Sequence, residues 1–497
     1  MGFEQLLEGF AFALSPSSVL IALLGVLIGT LVGVLPGLGP TAAMALLLPV
    51  SAHFGSAGGL VMLTGVWFGA AYGGSTTSIL VNIPGEASSV ATCLDGYQMA
   101  RKGRAGAALA VAAIGSWVAG TMAIVFLQFF APFLGEVALK FGAPEFMALA
   151  IFATVVVSGL VGGDQFKSLT MLCLGLFLST IGIDPLQGFP RFTFGPTRLM
   201  QGIDFLPVAI GLFGVAEVLR IGVEPVGKAE VLKVRFRELY PSMEELRRSV
   251  APWLRGGILG FGIGLFPGPA PTIASFVSYS VEKQFSRHKG QFGTGMVEGV
   301  AGPEAANNSA VMGAMAPLLG LGIPFSATSA ILLAGLRMHN VEPGPMLFYK
   351  APELFWDFIA CMYVANVLLL VLNLPLVGIF ARAATVRTDI IMPFVLVICM
   401  IGSYATRFSM MDVWITLLAG VVGFLLQRAG FHPAPLVLGM VLGPVLEPNF
   451  RVTMKLFSGD LFQALVRPGT TMLLAMTVFF EWIAVRALAG QVKDDQD

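Results

Sequence analysis

The sequence predicts an all-α polytopic membrane protein of about 12 spans, with re-entrant or broken helices in two inverted-topology repeats. Composition is the first reason: of 497 residues, 56% are apolar and 12% charged, against roughly 25% charged in a soluble globular protein. The second is the recurrence of apolar runs of the ~20 residues that cross a bilayer. The third is a pair of Pro/Gly-containing motifs that interrupt such runs and occur twice in the same order. A soluble enzyme is excluded. Net charge is zero, from 29 basic and 29 acidic residues, which leaves no basic field to hold a nucleic acid.

The opening MGFEQLLEGFAFALSPSS carries Glu4 and Glu8 but no Lys or Arg, so it lacks the positive region of a cleaved signal peptide and is expected to be retained. Spans are predicted near 17–35, 58–82, 105–133, 144–161, 166–183 and 204–221. In the second half they fall near 252–266, 295–322, 353–380, 389–403, 411–427, 434–446 and 470–487. Shorter apolar pieces at 40–50, 86–99, 270–281 and 326–337 read as half-helices. The chain thus divides into a first membrane repeat with following spans (1–221), a connector (222–255) and a second repeat with following spans (256–497).

The connector holds Lys228, Lys233, Arg235, Arg237, Arg247, Arg248 and Arg255 beside five acidic residues, and the positive-inside rule makes it cytoplasmic. Ser242 followed by Glu245 is a capping-box start for the helix MEELRRSV. Arg101, Lys102 and Arg104, four spans earlier, share that side. Lys283, Arg287 and Lys289 share it only if 256–281 enters and returns as a hairpin turning at PGPAP.

GVLPGLGPT at 33–41 recurs as GLFPGPAPT at 264–272, and NIPGEASS at 82–89 recurs as GIPFSATS at 322–329. Pro36, Gly37, Pro40 and Thr41 align with Pro267, Gly268, Pro271 and Thr272, and Pro84 aligns with Pro324. Pro in a helix interior costs about 3 kcal/mol, and a membrane chain tolerates the freed backbone groups only where they face protein, water or a ligand. The loop after the first half-helix has no Lys or Arg, whereas its counterpart, EKQFSRHKG, has three. Opposite charge bias places the copies in opposite orientations, the arrangement in which broken helices meet at a substrate site.

Each half then carries a polar cluster costly in lipid, GGSTTS at 73–78 with Asn82, and PEAANNS at 303–309. Ser75, Thr76, Thr77, Asn307 and Asn308 can donate to a carboxylate, and Asn and backbone carbonyls can ligate a hard cation. Half-helix starts near Thr41, Glu86, Thr272 and Ser326 add N–H groups that favour an anion. Among the acidic residues in or near spans (Glu86, Asp95, Glu217, Glu298 and Glu304), Glu304 is the best candidate for a proton or cation carrier. Cys93, Cys173, Cys361 and Cys399 lie far apart without CxxC spacing, and His53, His288, His339 and His432 are scattered, so neither disulfides nor a metal centre is expected. No phosphate loop, HExxH or GxSxG occurs, and no enzyme activity is expected.

GVLPGLGPTAAMALLLPV, the run from Tyr72 to Leu109, and GPEAANNSAVMGAMAPLLGLGIPFSATSAILLAGL together resemble the large (TctA-type) membrane subunit of the tripartite tricarboxylate transporter family, over residues 17 to 485. The resemblance implies a multi-pass subunit of the bacterial inner membrane, working with a small four-span subunit and a periplasmic solute-binding protein. It implies import of citrate or related carboxylates, driven by a sodium or proton gradient through an elevator-like movement, with no other cofactor. Carried over by position, it points to Pro36, Gly37, Gly39, Pro40, Thr41, Ser75, Thr76, Thr77, Asn82 and Pro84 in the first half. In the second half it points to Pro267, Gly268, Thr272, Asn307, Asn308, Ser309 and Pro324. Ala270 stands where the first half has Gly39, a departure from two-fold symmetry. The alternative function is a passive anion channel, which needs neither gradient nor partner.

Overall fold

The computed structural model describes residues 2–35, 39–160, 164–195, 197–223, 240–383 and 388–494. Pro36, Gly37 and most of the connector lie outside the described residues. The first half holds α1 (Gly2–Ala13), α2 (Pro16–Val34), α3 (Pro40–Ser51), α4 (Gly55–Val81), α5 (Val90–Met99), α6 (Ala105–Ala138), α7 (Ala143–Leu160), α8 (Gln165–Ser179), α9 (Phe205–Ala209) and α10 (Ala216–Val223). The second holds α11 (Met243–Gly264), α12 (Ala270–Phe285), α13 (Glu298–Leu321), α14 (Ala327–Met338), α15 (Leu347–Lys350), α16 (Pro352–Ala383), α17 (Thr388–Arg407), α18 (Met410–Arg428), α19 (Ala434–Leu456), α20 (Leu461–Leu465) and α21 (Pro468–Asp494). A two-residue antiparallel pair, β1 (Gly182–Ile183) with β2 (Pro190–Arg191), sits in the loop after α8, with Gly182 opposite Arg191.

Among the described residues, seven helical stretches are long and apolar enough to cross a membrane, including Pro16–Val34, Pro40–Val81, Ala87–Ala138 and Pro352–Phe380. The predicted runs at 166–183, 252–266, 389–403, 434–446 and 470–487 are not among them, nor is the run at 295–322. It forms α13, whose Glu298, Glu304, Asn307, Asn308 and Ser309 dilute its hydropathy, and nearly the whole helix is enclosed by protein instead. The four short pieces lie in α3, α5, α12 and α14. The capping box at Ser242 and Glu245 forms, and MEELRRSV continues without interruption into α11.

Packing repeats between the halves. Gly25, Gly29 and Gly33 of α2 press on the backbone of Met62, Val66 and Ala70 of α4, so closely that a Cβ at any of the three would overlap it. Gly256, Gly260 and Gly264 of α11 press in the same way on Gly302, Ala306 and Ala310 of α13. Small residues let membrane helices approach and gain dispersion contacts that lipid cannot replace. The two sets are related by the register of the repeated motifs, position 33 to 264 in one helix and position 82 to 322 in the other. Both pairs run parallel, so α3 and α12 return between them. Arg255 near the start of the α11 membrane run pairs with Glu282 near the end of α12, closing the second hairpin.

The two units run in opposite directions. Glu304, in the second turn of α13, bonds Ser75 near the end of α4, while Gly335 of α14 packs on Leu63 and Leu60 near the start of α4. Around them, α16 lies along α2, α4 and α6, and α19 packs on α8 through the close approaches of Gly175 to Leu436 and Gly439 to Leu172. Near the C-terminal end of α19, Arg451 donates to Asp184 at 2.7 Å and Arg191 to Glu447 at 2.5 Å. Burial works to raise the Asp184 pKa, but Arg451 and the backbone N–H groups of Leu186 and Gln187 outweigh it and hold the carboxyl at about 2.

Candidate functional site at the helix breaks

The interruptions follow from local chemistry. α4 stops at Asn82, which takes a left-handed conformation (φ 58°), and the chain turns through Pro84 and Gly85. It restarts at Glu86, which forms a capping box with Ser89 and also accepts a hydrogen bond from Ser88. α13 stops at the left-handed Gly322 (φ 75°), turns through the buried Pro324, and restarts with a capping box of Ser326 and Ser329. The hairpin half-helices differ. α3 begins behind Gly39 with Pro40 in its first turn, and α12 begins behind Pro269, and neither has a side-chain cap. The N–H groups near Thr41 and Thr272 are therefore without side-chain acceptors at the helix starts, whereas those after Glu86 and Ser326 are partly satisfied.

The four interruptions form one cluster. Gly85 lies against the carbonyl of Gly33 at the end of α2. Gly268, at φ 135°, donates its N–H to the carbonyl of Phe325 at 2.9 Å. Thr41 of the first hairpin and Thr328 of α14 share a hydroxyl hydrogen bond of 2.6 Å, and α12 packs on residues 87–89. Each unit thus supplies a hairpin tip and a broken helix, and Thr41 with Thr328 ties one unit to the other.

The remaining residues singled out in the sequence separate into two roles. Ser75 donates to Glu304, and so does Thr92; Thr76 lines the same cavity. Asn307 donates to the Glu86 carboxylate at 3.3 Å, reaching the cap of the α5 tip, and its Oδ1 has no partner. Three others act within the helix packing: Thr77 donates to Gly74 O (3.1 Å), Asn308 to the Ser116 hydroxyl (2.7 Å), and Ser309 to Gly257 O (2.5 Å). Asn82 is exposed, and Pro267 is buried in the second hairpin tip.

The other acidic candidates have partners. Asp95 accepts from the N–H groups of Gly293 (3.0 Å), Gly295 (2.7 Å) and Met296 (2.7 Å) and from the Tyr279 hydroxyl (2.8 Å), pinning α5 to the loop that precedes α13. Glu217 pairs with Arg220, and Glu298 with Arg248 at 2.8 Å. Thr92, Ser116, Thr328 and Asn373 were missed in the sequence because single hydroxyls and amides in apolar helices are ordinary there. Among the described residues no His, Cys, Asp and Glu group could hold a metal ion, and the four cysteines are free.

Parallel helix pairs with returning half-helices, and apolar helices long enough to cross a bilayer, define an all-α polytopic membrane protein. The chain belongs to the tripartite tricarboxylate transporter TctA family, whose profile matches residues 19–438. It is 47% identical, over 94% of its length and 93% of the relative's, to an uncharacterized 52.8 kDa protein of Agrobacterium vitis encoded in the 3' region of ttuC' in TAR-I. A second protein of that organism, from the ttuC' 3' region of TAR-II, is 40% identical over 47% of this chain and 96% of its own. No solved structure matches. Family membership makes this chain the large membrane subunit of a tripartite system that includes a small membrane partner and a periplasmic binding partner, and a transporter component rather than an enzyme.

Proposed function

We propose that the protein imports citrate or a related small carboxylate across the bacterial inner membrane, receiving it from the periplasmic binding protein and releasing it inward down a cation gradient. The observation that carries this reading is the pair of uncapped half-helix starts, at Gly39–Thr41 and Pro269–Thr272, inside the cluster of four breaks. Helix N-termini offer backbone donors and a positive dipole end to an anion. The Thr41 and Thr328 hydroxyls and the first-turn N–H groups near Thr272 are the donors for the carboxylate. The opposed directions of the two units support an inverted repeat, in which exchanging the conformations of the halves turns an outward-facing site into an inward-facing one. An elevator-like movement of the two tip-bearing units against the surrounding helices fits that arrangement. Differential affinity of carboxylate and cation for the two end states supplies the coupling.

The test is uptake of labelled citrate, and of a panel of dicarboxylates, into vesicles holding this protein and its small membrane partner. Uptake is expected to require the binding protein and to collapse when the driving cation gradient is abolished. Flux that proceeds without binding protein and never accumulates solute above equilibrium contradicts the reading and favours a channel.

A further inference from the structure

Glu304 occupies a cavity separate from the breaks. Its side chain is 1% exposed, its two carboxylate oxygens accept from Ser75 and Thr92, and among the described residues no Lys or Arg side chain pairs with it. A buried, unpaired carboxylate must take up a proton or a cation. The cavity beside it, about 20 Å³, exceeds the ~10–15 Å³ that one water molecule needs. Its polar lining is oxygen-bearing: Tyr72, Ser75, Thr76, Ser116 and Asn373, with Glu304 itself.

Two of those residues carry buried polar atoms without partners, the Tyr72 hydroxyl (4% exposed) and the Asn373 Oδ1 (7% exposed). Asn373 spends its amide N–H on Leu369 O of its own helix at 2.9 Å, so its free atom is an acceptor only. A proton on Glu304 neutralises the carboxylate without engaging that carbonyl. A small cation satisfies both. One carboxylate among neutral oxygens selects a monovalent ion, since hard divalent ions gather more charge and more ligands.

We propose that this cavity is a sodium site, with Glu304 and the Asn373 carbonyl as its principal ligands and the hydroxyls of Tyr72, Ser75 and Ser116 completing the oxygen shell. Its role as the coupling site rests on the carboxylate-import reading; the binding itself does not. The site joins α4 and α13 to α6 and α16, and Thr92 brings in α5. Asn307, one turn beyond Glu304 on α13, donates to Glu86 at the α5 tip. An ion that holds Glu304 in place therefore also fixes the helix that braces one of the four breaks.

The experiment is equilibrium binding of radioactive sodium to the purified full-length protein, with no carboxylate present, in wild type, Glu304→Gln and Asn373→Leu. Saturable binding, displaced by unlabelled sodium chloride and not by choline chloride, is expected in wild type. It should weaken at least 10-fold in Glu304→Gln and about 10-fold in Asn373→Leu, both eluting as monodisperse protein on size exclusion. Asn373→Leu keeps the proposal testable if Glu304→Gln fails to fold, and Ser309→Ala, a packing hydroxyl on α13 outside the cavity lining, should retain sodium binding within a few-fold. No sodium binding in wild type, or wild-type affinity in Glu304→Gln or Asn373→Leu, overturns the site. Since carboxylate is absent, such a failure is distinct from failure of the import reading, which the uptake assay addresses.

Discussion

At the scale of single residues, polar side chains that look alike in the sequence do different work. Ser309 and Thr328 are both small alcohols beside a repeated motif, yet one donates to Gly257 O within the α11–α13 packing and the other bonds Thr41 across the two units. Ser309→Ala should lower the stability of the solubilised protein by about 1 kcal/mol, the usual net worth of one hydrogen bond, and leave the concentration dependence of uptake unchanged. Thr328→Val keeps the shape and removes the hydroxyl; it should reduce carboxylate uptake at least 10-fold with little change in thermal unfolding. Reversed outcomes in that pair exchange the assigned roles. Asp95→Asn should cost more than Ser309→Ala, about 3 kcal/mol, because one carboxylate satisfies three backbone donors at once, those of Gly295 and Met296 buried. Thermal unfolding in detergent measures it.

At the scale of elements, the glycine ladders govern how closely α2 meets α4 and α11 meets α13. Gly29→Leu or Gly260→Leu forces a side chain into the facing backbone, where overpacking typically costs 1–3 kcal/mol even when neighbours can move, and here the obstruction is backbone. Both variants should be recovered as aggregate on fluorescence-detected size exclusion, with Gly262→Leu, which meets no neighbour within 4 Å, eluting normally. The Asp184 cluster makes a different prediction. Its carboxyl is held at about 2, below its ordinary 3.8, so its stabilisation is fully present above the ordinary value and is lost as pH falls through 2. This carboxyl should add no pH dependence to the unfolding temperature between pH 5 and 8, where its stabilisation is constant, and Asp184→Asn should lower that temperature by the same amount throughout the range.

Much of this level was legible in the sequence. Pro and Gly inside apolar runs marked the breaks, since the backbone cost of such residues is local. The half-helices α3, α5, α12 and α14 followed from runs too short to span. The Glu304 surroundings were only partly legible: PEAANNS announced a polar turn in a membrane helix, but Thr92, Ser116 and Asn373 come from three other helices, and only the tertiary packing assembles them. The same limit hid the distinction between Asn307, which reaches the α5 tip, and Asn308, which ties α13 to α6.

At the scale of the molecule, two units that run in opposite directions bring four chain interruptions together, and Phe152 of α7 and Phe480 of α21 pack on Phe325 and Phe266 beside those of the second unit. The central claim is that this cluster is a carboxylate site reached alternately from the two sides of the membrane. The most direct measurement places one cysteine at the cluster, Thr328→Cys, with Cys93, Cys173, Cys361 and Cys399 replaced by Ala. Its alkylation rate is then read in oriented vesicles with membrane-impermeant thiol reagents added to one side or the other, with and without citrate. Alternating access predicts labelling from each side, slowed by the carboxylate and shifted between sides by the cation gradient. Labelling from one side only, with rates that neither carboxylate nor gradient changes, contradicts it.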